Sequence, residues 1–89
     1  MTVRLKIFGR VQGVFFRRSA QVESEKLGLA GWARNEDDGS VEILASGSQE
    51  KLKKFVEWCK DGPKMAKVEK VEEDWSEEGS DLEGFEAVD

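Results

Sequence analysis

Apolar and polar residues alternate along the start of the chain, with Val3, Leu5 and Ile7 on one side and Thr2, Arg4 and Lys6 on the other. A period of two is that of a strand with one buried face, and here it stops at Gly9. From Phe16 the apolar spacing lengthens, through Ala20 to Leu27, and Gly28 stands where a helix C-cap belongs. That change of period predicts a first helix. Two further runs, Leu29 to Asn35 and Ser40 to Ser46, flank Asp37-Asp38-Gly39. Asp-Gly between such runs predicts a hairpin, because glycine accepts the positive φ of a tight turn. Ser48 suits the N-cap of a second helix, whose Leu52, Phe55, Val56 and Cys59 form one apolar stripe ending near Asp61-Gly62-Pro63. A fourth strand is expected around Val68 to Trp75. After a polar loop through Gly79-Ser80 comes a short last strand, Phe85 to Val88.

The order βαββαβ, with a short terminal strand, predicts an α+β ferredoxin-like sandwich: an antiparallel sheet with two helices on one face. Residues 1–89 are expected to form a single domain without linker or low-complexity segment. A chain of this size buries roughly 60–65% of its unfolded surface, so its one core must be well filled. No run approaches the ~18 apolar residues of a membrane span, and Met1-Thr2-Val3-Arg4 leads directly into a strand pattern. A soluble, cytoplasmic protein without a membrane partner is therefore expected.

Charge and missing residue types narrow the chemistry. The net charge of −5 argues against a nucleic-acid partner, which usually meets a basic face. The charge is uneven: carboxylates crowd Glu69 to Glu86, while Arg4, Lys6, Arg10, Arg17 and Arg18 lie towards the other end of the sequence. That distribution suits a small anionic ligand. Cys59 is the only cysteine and shares the apolar stripe of the second helix, so it reads as a buried structural thiol. There is no histidine, which removes the commonest metal ligand and the commonest general acid or base.

The stretch Gly9-Arg10-Val11-Gln12-Gly13-Val14-Phe15-Phe16-Arg17 leaves the first strand and enters the first helix. Backbone N–H groups at a helix start lack partners and carry the positive end of the dipole, so a glycine loop there can wrap a phosphate-sized anion. Arg17 adds a planar fork able to hold two phosphate oxygens. The loop lacks the Gly-Lys-Ser/Thr ending of a nucleotide P-loop. Arg18, about 100° further round the helix, is assigned to solvent. Phe15 and Phe16 could be a base-stacking pair, but Ser40 to Ser46 has none of the aromatics an RNA-binding third strand needs, and Phe16 reads as core. Trp32, Trp58 and Trp75 read as packing or sheet-face residues. Asn35, before Glu-Asp-Asp-Gly, is by itself a turn former.

The loop resembles the phosphate loop of the acylphosphatase family, and Gly31-Trp32-Ala33-Arg34-Asn35-Glu36-Asp37-Asp38-Gly39-Ser40-Val41-Glu42 resembles that family's other motif. The likeness runs from Val3 to Phe85. It implies metal-free and cofactor-free hydrolysis of small acyl phosphates to a carboxylate and inorganic phosphate. It further implies that Gln12, Gly13, Val14, Phe15, Phe16 and Arg17 bind phosphate, and that Asn35 sits beside it and orients water. The alternative is a noncatalytic phosphate or acyl-phosphate binding module of the same fold. Two positions depart from the family pattern: Glu73 replaces a more usual apolar residue, and Ala87 a larger aliphatic. A monomer is expected, since charges around Lys67 to Glu73 discourage edge pairing.

Overall fold

The computed structural model describes residues 1–89. Its elements follow as β1 (Thr2–Arg10), α1 (Phe16–Lys26), β2 (Ala30–Asn35), β3 (Val41–Ser46), α2 (Gln49–Asp61), β4 (Lys67–Ser76) and β5 (Phe85–Val88). They form a five-stranded sheet in the order β4-β1-β3-β2-β5. The first four strands pair antiparallel, with Val3 opposite Ala45 and Trp75, and Ala33 opposite Ile43.

The fully antiparallel sheet of the sequence reading needs one correction. β5 lies parallel to β2, from Gly31 opposite Phe85 to Arg34 opposite Val88, so the sheet is mixed. The connection explains the direction. β4 ends beside Thr2, and the following loop crosses that end of the sheet instead of turning back. The Thr2 hydroxyl donates to the Glu78 carbonyl at 2.7 Å, and Gly31 N–H donates to Gly84 O at 2.9 Å. β5 therefore enters where β2 begins and must run with it. The result carries Val88 and Asp89 to the end of the sheet where β1 and β2 finish and α1 starts.

Both helices cover one face. Val3, Leu5, Ile7, Val41, Ile43 and Ala45 from the sheet meet Phe16, Ala20, Leu52, Phe55, Val56 and Cys59 from the helices, all buried. Trp58 stacks on Phe55 with centroids 6.1 Å apart and tilts against Phe16 at 5.6 Å. Burial pushes the Cys59 thiol well above its ordinary pKa, with Glu23 adding to the shift, as befits a structural thiol. Glu73 shares the inward side of β4 with Val71 and Trp75. There it accepts a 2.9 Å hydrogen bond from the Trp75 indole N–H and lies 3.9 Å from Lys60 Nζ. The polar departure is thus partnered at the sheet's edge. On the open face the Arg34 guanidinium lies 4.6 Å from the Trp32 ring, and that of Arg4 5.9 Å.

Candidate active site

The site begins with a bulge. The β1–β4 register slips between Phe8 and Gly9, where φ is 126° and a Cβ would sit 2.2 Å from the Lys67 carbonyl. Only glycine lets the two backbones approach so closely. Val11 and Val14 then drop into the core and anchor the loop, while Gly13 and Phe15 face out.

Gly13 has φ 75° and Phe15 φ 65°, with Val14 between them on the ordinary negative side. Alternation of this kind turns successive N–H groups towards one side and makes a concave nest for an anion. For a phenylalanine the left-handed conformation costs on the order of 1–2 kcal/mol. None of the backbone N–H groups from Val11 to Phe15 donates to another group of the protein. α1 then opens at Phe16 with no side-chain cap and no acidic residue in its first turn. Its leading N–H groups have no intrahelical acceptor and extend the same donor surface.

Gln12 holds the loop in place from the other side. Its Nε2 donates to the carbonyls of Glu36 at 2.8 Å and Ser40 at 2.9 Å, joining the loop to the β2–β3 hairpin. The hairpin tip is itself closed by Asp38, which accepts from the Ser40 hydroxyl at 2.5 Å and the Ser40 N–H at 3.0 Å, and pairs with Lys6 Nζ at 2.9 Å. The Ser40 hydroxyl, then Lys6, holds the Asp38 carboxyl far below the usual carboxylate range.

A cleft of about 370 Å³ brings Gly13, Phe15, Phe16 and Arg17 together with Asn35 from β2 and Ala87 and Asp89 from the last strand and its end. Of the residues expected there, Gln12 and Val14 do not line it: one faces the hairpin and the other the core. Phe16 is 1% exposed and serves as floor. Arg17 is partly buried; its Nη1 donates to the Val88 carbonyl and lies 3.6 Å from an Asp89 carboxylate oxygen. Asn35 is exposed at the end of β2. Arg18 is exposed and donates to Gln21 Oε1 at 3.0 Å, yet it also forms part of the rim instead of pointing only to solvent. The Val88 carbonyl and Asp89, which hold Arg17, were missed because they arrive through the parallel docking of β5. A permanent cation, a row of free N–H donors and a neutral amide thus face one space suited to a tetrahedral oxyanion and a water.

A family model described as acylphosphatase matches residues 3–87. The chain is 49% identical over 85 residues to an acylphosphatase of Thiobacillus denitrificans, an alignment spanning 96% of this chain and 93% of that protein. It is 48% identical over 84 residues to an acylphosphatase of Thermococcus kodakarensis, across 94% and 91% of the two chains. The crystal structure of acylphosphatase from Bacillus subtilis matches with a TM-score of 0.95 at 42% identity, over 98% of this chain and 97% of that one.

Proposed function

The chain belongs to the acylphosphatase family, hydrolysing acyl phosphates to a carboxylate and inorganic phosphate, and we propose that the reaction takes place between Arg17 and Asn35. The supporting observation is the convergence of unpaired N–H donors, Arg17 and Asn35 on one cleft.

The non-bridging oxygens of the phosphoryl group lie on the backbone donors of Gln12 to Phe16 and on the guanidinium of Arg17. Val88 and Asp89 fix that guanidinium through Nη1 and leave its other N–H donors for the substrate. Asn35 accepts a hydrogen bond from the attacking water and holds it in line with the scissile bond. The water oxygen bonds to phosphorus, the phosphorus–oxygen bond to the acyl group breaks, and its electron pair leaves on the carboxylate. The water's proton passes to the phosphate. Because the leaving acid has a pKa of about 4, it departs unprotonated and the site needs no general acid. Positioning and charge stabilisation are then what the protein must supply, as a loose phosphoryl-transfer transition state demands.

Arg17 and the loop donors already provide the positive field, so turnover needs no metal ion. Hydrolysis of an aromatic acyl phosphate should persist in EDTA and be inhibited competitively by inorganic phosphate. Loss of turnover in EDTA, restored by magnesium, would contradict this. The noncatalytic module is not favoured, since the relatives above are acylphosphatases and both Arg17 and Asn35 stand in the cleft.

Residues 1–89 act in this reading as one domain, a cytoplasmic monomer whose partners are the small-molecule substrate and its products. No helix is long and apolar enough to cross a membrane. Two features favour a monomer without a nucleic-acid partner. The net charge of −5 repels a polyanion such as a nucleic acid. The edge strand β4 carries Lys67, Glu69, Lys70, Glu72 and Glu73, which oppose edge-to-edge pairing.

A further inference from the structure

Among the apolar side chains of the cleft, Val11 and Phe16 are each 1% exposed and offer a ligand almost no surface. Phe15 is different. It is 74% exposed, the highest value among the chain's exposed large hydrophobic residues, and it stands in the left-handed conformation at the mouth of the cleft. Glycine would adopt that conformation without penalty and present the same N–H to the nest. Phosphate binding therefore accounts for the backbone at this position and leaves the ring unexplained. Ala87, also on the cleft wall, is small and leaves room. At about 370 Å³ the cleft falls within the range that holds a small organic ligand, more than a phosphoryl group requires.

We propose that the Phe15 ring is the platform for the substrate's acyl group, so that the enzyme favours acyl phosphates with a flat apolar acyl part, aromatic ones first, over a small one such as acetyl. This rests on the reading in which the loop donors and Arg17 hold the phosphoryl group. The acyl carbon is joined to that group through a single bridging oxygen. A phosphate seated in a nest that includes Phe15 N–H therefore brings the acyl part within reach of the same residue's side chain. An aromatic acyl group stacks offset on the ring and removes apolar surface of both from water. The contact is made in the ground state as well as the transition state, so it acts on KM and leaves kcat little changed.

The test compares benzoyl phosphate with acetyl phosphate on the full chain and on Phe15→Gly, Phe15→Leu and Phe15→Trp. Glycine keeps the positive φ and the N–H, and taking the ratio of kcat/KM for the two substrates cancels any effect on phosphate binding common to both. The benzoyl-to-acetyl ratio should fall about tenfold in Phe15→Gly, through KM, and be kept or raised in Phe15→Trp, with Phe15→Leu between. A ratio within twofold of wild type in Phe15→Gly, or a fall residing in kcat, would overturn the proposal. Arg17→Ala, assayed alongside for inhibition by inorganic phosphate, separates the two readings. Retained phosphate inhibition in Arg17→Ala would sink the phosphoryl site. Its loss, with the ratio unmoved in Phe15→Gly, would sink the acyl platform alone.

Discussion

The two helices of this molecule lie on the same sheet but begin in opposite ways. α2 starts at Ser48, extended at φ −70° and ψ 150°, whose hydroxyl accepts from Lys51 N–H at 3.2 Å, with Glu50 in the first turn. Each feature follows the local rules for a stable helix start. α1 starts after Phe15 at φ 65°, without a side-chain cap or an acidic residue, and puts the cation Arg17 in its first turn. A cap is worth typically about 1 kcal/mol, and the left-handed phenylalanine adds a cost of similar order. What holds α1 is burial of Phe16 and Ala20 in the core and the anchoring of its leading loop by Val11 and Val14. A helix start whose donors are to hold a ligand must leave them unsatisfied by the protein, and its stability then comes from packing.

Breaking the unusual start should have the largest effect. Arg17→Ala removes the permanent charge from the donor cluster and should lower kcat/KM by about 10³ or more, with inhibition by inorganic phosphate lost as well. Asn35→Ala should lower kcat by about 10² while phosphate still inhibits, because the amide positions water and not the anion. Equal loss of phosphate inhibition in both variants would show that the two residues do not divide the work as described. At the ordinary start, Ser48→Ala should leave catalysis unchanged and cost about 1 kcal/mol, a fall of roughly 4–8 °C in Tm for a domain of this size. A loss of activity there would mean that the two helix starts are not functionally distinct.

The smallest effect is expected beside the loop, at the hairpin tip, where donors and acceptors are matched inside the protein. Asp38 has a lowered folded pKa, owing to the Ser40 hydroxyl and then Lys6. Its contribution is fully present above the unfolded value of about 3.9 and is lost as pH falls through the lower folded one. Asp38→Asn should therefore be less stable than wild type at neutral pH, with the gap narrowing below about pH 4. A gap that widened on acidification would reverse the sign of this linkage.

Local sequence chemistry revealed most of the fold. The hairpin at Asp38-Gly39, the Ser48 cap, the stripe of Leu52, Phe55, Val56 and Cys59, and the last strand at Phe85 all stand where period and turn residues placed them. The direction of β5 was not legible, since it depends on where a polar loop crosses the sheet, and the contact between Thr2 and Glu78 spans almost the whole chain. The same blind spot hid Val88, Ala87 and Asp89 from the site. Glycine spacing pointed to the loop, but nothing in the residues predicts φ 65° at Phe15, because a bulky side chain argues against it. Gln12 was placed in the cradle by family resemblance. That placement rests on its backbone N–H; the side chain ties the loop to Glu36 and Ser40, a tertiary bond with no local sequence signal.

The most direct test of the contrast between the two helix starts is a titration with inorganic phosphate followed by amide ¹H–¹⁵N chemical shifts. The amides from Gly13 to Arg18 should move together with a single affinity, while those of Gln49 to Lys51 at the capped start stay in place. Loop amides that remain fixed while phosphate inhibits turnover, or shifts of equal size at both helix starts, would contradict the assignment of the α1 donors to the substrate's phosphoryl group.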